Sequence, residues 1–120
     1  MAQSLNTKVD LTVDATWFRS IAVYGKVMVG DKAFEFYNDR NVEDYVQIPW
    51  DEVTMVVADV YFGGKWIPRF EIRTRKNGTF IFATKNPKRT LRAIRNYIPG
   101  DHIRRALSVI QKIKQRFTRK

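Results

Sequence analysis

The side chains that most often carry out catalysis are scarce in this sequence. It contains no cysteine, and His102 is its only histidine, so thiol nucleophiles, disulfides and zinc–thiolate sites are excluded. The neighbouring carboxylates Glu43/Asp44 and Asp51/Glu52 are typical of solvated turns rather than of general acid–base pairs. Neither a Walker A phosphate loop nor a G-x-S-x-G nucleophile elbow is present. We therefore expect no enzyme activity, no catalytic residues, no metal site and no cofactor.

Basic residues, in contrast, are concentrated in one part of the chain. The 120 residues carry a formal net charge of +10. Residues 85–120 contain twelve Lys or Arg and one acid, whereas residues 1–84 contain ten basic and eleven acidic residues. This asymmetry favours a polyanionic partner or an acidic membrane surface, although a solvated helix face has the same composition. The candidate basic face comprises Arg92, Arg95, Arg104, Arg105, Lys112, Lys114, Arg116, Arg119 and Lys120.

Two loops are candidate binding sites. In the first, paired glycines permit a tight turn with positive φ beside aromatic and basic side chains. Its residues are Phe62, Gly63, Gly64, Lys65, Trp66 and Arg69. Packing of the Trp66 ring in the core is the more common outcome for such a residue, and an exposed binding loop is the alternative. The second loop is the polar turn formed by Asn38, Asp39, Arg40 and Asn41.

Alternating apolar residues predict the strands that must position these loops. Strands are expected near residues 9–13, 21–29, 34–36, 45–48, 53–62, 70–74 and 80–82, with a hairpin turn at Gly30-Asp31. About seven strands followed by helices predict a single α+β domain over residues 1–120. Its first part, about residues 7–84, is expected to be a small antiparallel β-barrel or a curved sheet capped by a helix.

The hairpin around Asn77-Gly78 allows two registers. A two-residue loop would place Phe80 and Phe82 on the charged face of the strand, because a one-residue shift exchanges the two faces. A three-residue loop, Lys76-Asn77-Gly78, pairs Ile72 with Phe82 and Thr74 with Phe80 on the apolar face. Burial therefore predicts the three-residue loop, with Gly78 in the left-handed conformation.

Two helices are predicted after the strands. The first covers about residues 86–98, where Asn86 is the expected N-cap and Pro87 the first helical residue. Pro99-Gly100 ends it, and Asp101 can cap a second helix over about residues 101–118. Each helix has an apolar stripe that can dock on the sheet. The stripes are Leu91, Ile94 and Ile98 in the first helix, and Ile103, Leu107, Ile110 and Phe117 in the second.

Signals for membrane insertion and for nucleic-acid recognition are missing from the sequence. No segment reaches the ~18 apolar residues that a membrane-spanning helix needs. Residues 1–6 lack the basic segment and apolar stretch of a signal peptide, so we expect a cytoplasmic protein. An RNP motif, a KH loop and a zinc finger are also absent. The basic charge alone therefore makes nucleic acid a weaker candidate partner than a membrane surface or a membrane protein.

Five segments resemble one family over about residues 2–98. The segments are KVMVGDK (26–32), FEFYNDRNV (34–42), QIPW (47–50), FGGKWIPR (62–69) and LRAIR (91–95). The sequence is similar here to the ManO-type family, whose genes are associated with mannose-family sugar phosphotransferase operons in Gram-positive bacteria. Residues 99–120 resemble the family more loosely.

The resemblance implies a function and a fold. It implies a small cytoplasmic regulator that binds the membrane subunits IIC and IID of the transporter at the inner face of the plasma membrane and restrains sugar uptake. It also implies a pleckstrin-homology-like barrel with a C-terminal helix. We expect the two loops to provide specificity and the basic helices to provide orientation. A module for anionic phospholipid and a basic nucleic-acid regulator remain alternatives.

Overall fold

A computed structural model describes residues 3–106 of the chain. This part contains eight strands, one α-helix and three short 3₁₀ helices. The strands are β1 (Val9–Phe18), β2 (Val23–Gly30), β3 (Ala33–Asn38), β4 (Tyr45–Pro49), β5 (Val53–Ala58), β6 (Phe70–Thr74), β7 (Thr79–Thr84) and β8 (Ile103–Arg105). The α-helix is α1 (Pro87–Arg95), and the 3₁₀ helices are Trp50–Glu52, Phe62–Gly64 and Gly100–His102.

All eight strands belong to one sheet with the order β4-β3-β2-β1-β7-β6-β5-β8. Neighbouring strands are antiparallel except for β5 and β8, which are parallel. The sheet curves so strongly that side chains of distant strands meet over its inner face. The rings of Phe34 on β3 and Phe70 on β6 lie 6.2 Å apart, and those of Phe34 and Phe82 lie 5.0 Å apart. All three rings are fully buried, so they form the centre of the core.

The prediction of a closed barrel is wrong, because the sheet is open. Closure would require the two edge strands of the sheet, β4 and β8, to pair with each other. In the part of the chain that the structure describes, β4 pairs only with β3 and β8 pairs only with β5. The pleckstrin-homology-like barrel that the resemblance implies and the predicted α+β class are therefore both wrong, because residues 3–106 form mostly one open sheet with a single short α-helix.

The start of the first helix is confirmed. Asn86 precedes the helix in the left-handed conformation, with φ 53°, and Pro87 is the first helical residue. The side chain of Asn86 forms no capping hydrogen bond; its carbonyl instead accepts bonds from the backbone and the hydroxyl of Thr90. The helix ends at Arg95, earlier than predicted. Its face with Thr90 and Ile94 is buried against the sheet, and helix α1 thus covers one opening of the curved sheet.

The prediction of a second helix is wrong over the described residues. Gly100–His102 is a short 3₁₀ turn, and Ile103–Arg105 is strand β8. The free edge of β5 explains this outcome, since its backbone groups need partners that a strand supplies and a helix does not. Ile103 lies beside Val56 and packs against the core. Residues 107–120, and with them the rest of the predicted helix, lie outside the described residues.

The β6–β7 hairpin has the predicted face but a different register. Phe82 is buried and Gly78 has φ 79°, as predicted. However, Ile72 pairs with Phe80 rather than with Phe82, a shift of two residues that preserves the face. Hydrogen bonds of the Thr74 hydroxyl accompany this register: it donates to the Gly78 carbonyl over 2.7 Å and accepts a bond from the Asn77 backbone.

The outer face of β3 carries a fully buried carboxylate, Glu35. Five donors surround it: three come from the segment before β1, one from β3 itself and one from β4. Its oxygens accept bonds from the Ser4 hydroxyl (2.5 Å), the Leu5 backbone (2.8 Å), the Asn6 amide (2.9 Å), the Tyr37 hydroxyl (3.0 Å) and the Gln47 amide (3.0 Å). Glu35 therefore holds the N-terminal segment against the sheet.

Candidate functional site

The candidate site is built around an exposed loop between β5 and β6. Strand β5 ends at Ala58, four residues earlier than predicted, and residues 59–69 leave the sheet as a loop. Within it, Tyr61 and Trp66 pair as an isolated antiparallel bridge. The Tyr61 N–H donates to the Trp66 carbonyl over 2.8 Å, and the Trp66 N–H donates back over 3.2 Å. Residues 61–66, which we call the aromatic loop, thus form a small closed turn.

The turn requires three consecutive residues in the left-handed region. Phe62, Gly63 and Gly64 have φ values of 55°, 66° and 94°. A side chain added to either glycine would meet no other atom, so the glycines are required for their backbone conformation alone. Phe62 adopts the same region despite its bulky side chain, at a cost of roughly 1–2 kcal/mol. The predicted turn with positive φ is confirmed.

The aromatic loop presents three rings to solvent instead of burying them. The exposed fractions are 45% for Tyr61, 74% for Phe62 and 53% for Trp66, so the interpretation of Trp66 as a core residue is wrong. The Trp66 ring lies 5.3 Å from the Tyr61 ring and 6.2 Å from the Phe62 ring. Because the rings already pack on one another, they form a continuous apolar patch with little freedom left to lose on binding.

A basic groove adjoins the aromatic loop on the outer face of β5, β6 and β8. Its volume is about 470 Å³, and apolar residues such as Met55, Val57 and Ile81 line it together with four arginines. Two of these arginines are paired: Arg69 contacts Asp59 over 2.8 Å, and Arg73 contacts Glu71 over 2.6 Å. The other two, Arg104 and Arg105, are exposed and pair with no carboxylate among residues 3–106.

The second predicted loop lies at the opposite end of the sheet. The Asn38–Asn41 turn follows β3, and strands β2, β1 and β7 separate β3 from β6. The side chains of Asn38 and Asn41 are engaged within the turn itself. The Asn38 amide donates to Asp44 over 3.0 Å, and its oxygen accepts from the Arg40 backbone over 2.8 Å. The Asn41 oxygen accepts from the Glu43 backbone over 3.1 Å. The structure therefore does not join the two predicted loops into one site.

The predicted basic face is also divided. Arg92 and Arg95 are exposed on α1, and together with Arg89 they line a separate surface that includes Asp10. Asp10 accepts a hydrogen bond from the Tyr97 hydroxyl, and this bond raises the pKa of Tyr97 to about 12. Arg104 and Arg105 lie on β8 beside the basic groove. The remaining predicted residues, Lys112, Lys114, Arg116, Arg119 and Lys120, lie outside the described residues.

Among residues 3–106 there is no group of three or more His, Asp or Glu side chains that could hold a metal ion. The helices in this part of the chain are too short and too polar for one to cross a membrane.

The chain matches the sequence profile of one known family. The sequence profile of a family described as "Domain of unknown function (DUF956)" matches residues 1–117. The chain belongs to the DUF956 family. Its description assigns no activity, so membership identifies relatives and not a reaction.

The fold of this DUF956 protein has a counterpart of known structure. The crystal structure of the C-terminal domain of an unknown protein from Leishmania infantum superposes with a TM-score of 0.64 at 13% sequence identity. The match covers 75% of the DUF956 chain and 83% of the other chain. At this identity the similarity concerns the fold alone. No curated protein matches the sequence.

Sequence reasoning missed one residue of the aromatic loop, Tyr61, and the position of Arg104 and Arg105 relative to that loop. Tyr61 was placed inside a strand expected to reach Phe62, whereas it is one side of the turn that closes the aromatic loop. The polar residue Asp59 was the available signal, because it ends the run of apolar residues that begins at Met55. The proximity of Arg104 and Arg105 to the loop depends on β8, a pairing that local periodicity does not encode.

Proposed function

We propose that this DUF956 protein is a non-enzymatic cytoplasmic regulator that binds the membrane subunits IIC and IID of a mannose-family phosphotransferase transporter and restrains sugar uptake. The resemblance of its sequence to the ManO-type family supplies the partner. The aromatic loop supplies the contact surface, and its three exposed, mutually packed rings are the observation that carries the proposal.

The aromatic loop has the features of a protein-binding surface. Its left-handed Phe62 costs free energy, yet the ring gains no burial in return. Strain that the fold does not use for its own stability often marks a functional segment. Tyrosine and tryptophan are also enriched among the residues that dominate binding energy at protein interfaces. We therefore assign to Phe62 and Trp66 the role of anchors in a cleft of the transporter.

Arg104 and Arg105, which pair with no carboxylate among residues 3–106, suit a partner embedded in the membrane. They line the basic groove together with Asp59 and Arg69, which flank the aromatic loop, and the inner leaflet of a plasma membrane is acidic. A cation close to such a surface contributes ~1 kcal/mol of attraction. Contacts of this size orient a protein at the membrane without fixing its position, whereas the aromatic anchors select the partner.

Inhibition follows if the loop binds one transport conformation more tightly than the other. A ligand shifts an equilibrium only by the difference between its affinities for the two states. To hold 99% of a population that starts evenly divided, the preference must be ~100-fold, which corresponds to about 2.7 kcal/mol. One or two buried aromatic anchors provide an energy of this size.

Co-purification of the tagged protein with the IIC–IID complex in detergent tests the proposal. We expect wild type to be retained, and Trp66→Ala to bind roughly 30-fold more weakly, as expected for the loss of one aromatic anchor. Tyr24→Ala is the matched control, because Tyr24 is 69% exposed on β2, outside the aromatic loop. Retention of Trp66→Ala equal to that of wild type would contradict the role of the loop, and no retention of wild type would contradict the partner.

A second candidate function is binding to anionic phospholipid, which Arg104 and Arg105 favour because no described carboxylate neutralises them. Flotation with phosphatidylglycerol vesicles in the absence of transporter tests it. If lipid is the partner, the double variant Arg104→Glu/Arg105→Glu should lose flotation at low salt. The paired arginine variant Arg73→Glu is the control on the same groove.

A further inference from the structure

The open sheet leaves a pocket that neither the fold nor the proposed function uses. We call it the seam pocket; its volume is about 260 Å³. One side is the edge of β4, and the other is the turn between β6 and β7 with Thr74 and Asn77. Apolar side chains including Trp17, Ile48 and Phe80 line its interior, and Glu52 is its one charged residue.

One carboxylate oxygen of Glu52 is buried without a hydrogen-bond donor among the described residues. Its Oε2 atom is buried, and in the part of the chain that the structure describes it is the one buried side-chain polar atom without a hydrogen-bond partner. No lysine or arginine of the described residues pairs with it. A buried carboxylate oxygen without a donor is expensive, because the attraction that it had to water is not replaced. Such an atom therefore identifies a position where a donor is expected.

The shape of the seam pocket favours an extended peptide over a small molecule as its ligand. Five consecutive residues, Tyr45–Pro49, line it, so the pocket follows the whole length of β4. This edge of β4 forms no ladder with another strand among residues 3–106. Unpaired edges accept extended peptides as an additional strand. The volume is smaller than the roughly 300–1,000 Å³ of typical small-molecule sites, and it suits one side chain carried by such a peptide.

We propose that the seam pocket binds an extended segment of a partner protein that pairs with β4 and inserts an arginine or lysine side chain. The aliphatic stem of that side chain packs against Trp17, Ile48 and Phe80, and its cationic group donates to Oε2 of Glu52. This arrangement satisfies the buried oxygen and neutralises its charge at the same time. The site differs from the aromatic loop in location and in the charge it selects, so it goes beyond the proposed function.

The test uses the full chain and three probes followed by NMR chemical shifts of the Trp17 indole and the Gln47 and Asn77 amides. The probes are the blocked tripeptide Val-Arg-Val, the same peptide with neutral citrulline in place of arginine, and agmatine, a free guanidinium amine. We expect the arginine peptide to saturate these shifts and the citrulline peptide to bind at least about tenfold more weakly. We also expect Glu52→Gln to abolish this difference, and the neighbouring Asp51→Asn to preserve it.

Each other result overturns the proposal in a defined way. Equal binding of the arginine and citrulline peptides would show that Glu52 does not recognise a cation. Agmatine binding as tightly as the peptide would assign the pocket to a free small molecule rather than to a protein segment. Self-association of the chain that Glu52→Gln removes, measured by sedimentation, would assign the seam to a second copy.

Discussion

Glu35 and Glu52 both place carboxylate oxygens out of contact with water, yet their surroundings are opposite. Glu35, on the outer face of β3, accepts hydrogen bonds from five donors, three of which lie in the N-terminal segment. Glu52, in the turn after β4, has a buried oxygen that accepts no hydrogen bond from residues 3–106. A buried charge is tolerated when its hydrogen bonds are complete. The comparison therefore separates a carboxylate that holds the fold together from one that is available to a partner.

The largest expected effect is at Glu35. The change Glu35→Gln keeps the shape of the side chain but replaces one acceptor oxygen with an amide that donates. Several of the five donors then lose their acceptor, so we expect the free energy of unfolding to fall by about 3 kcal/mol. Urea denaturation at pH 7 measures this change. A loss of stability below about 0.5 kcal/mol would contradict the structural role that we assign to Glu35.

Substitution of Glu52 should raise the free energy of unfolding, whereas substitution of Glu35 should lower it. The change Glu52→Gln replaces a carboxylate whose buried oxygen has no donor among the described residues, and the neutral amide is less costly to bury. We expect the free energy of unfolding to rise by about 1 kcal/mol. Asp51→Asn, which removes the exposed neighbouring charge, should change it by no more than about 0.5 kcal/mol. If Glu52→Gln instead destabilises the protein in the same urea experiment, the Glu52 carboxylate stabilises the fold, as Glu35 does.

Asp31 differs from both Glu35 and Glu52, because it accepts several hydrogen bonds but remains accessible to water. The Thr7 hydroxyl bonds to it, the Lys8 backbone donates over 3.0 Å and the Thr7 backbone over 2.9 Å. These bonds lower the pKa of the Asp31 carboxyl from 3.8 to about 2. Since the pKa is depressed in the folded state, the resulting stability is present above pH 4 and is lost as the pH falls toward 2.

Of the three carboxylate substitutions, we expect Asp31→Asn to change stability least, and we expect this change to depend on pH. We expect Asp31→Asn to be less stable than wild type at pH 6, and the difference to shrink between pH 4 and pH 2. Urea denaturation at several pH values in this range follows the change. A difference that is constant with pH would show that the loss comes from packing of the turn and not from ionisation.

Local sequence patterns predicted much of the fold and part of the candidate site. Alternation correctly placed Phe82 in the core, and the Asn86-Pro87 pair correctly marked the start of α1. The paired glycines predicted a left-handed turn in the aromatic loop, which the structure contains. The same patterns misjudged Trp66, because a large aromatic residue is usually buried and nothing nearby shows that its loop stands away from the core.

Spacing and the backbone preferences of glycine and proline were enough to predict the inward face of the strands and several of the turns. Contacts between distant elements were needed to establish that the sheet stays open, that Ile103 joins a strand instead of a helix, and that Glu52 lies in a pocket. These outcomes depend on which backbone edges meet, and edges meet between elements distant in sequence. A backbone hydrogen bond carries no residue identity, so local sequence patterns could not predict that residues 103–105 would pair with the edge of β5.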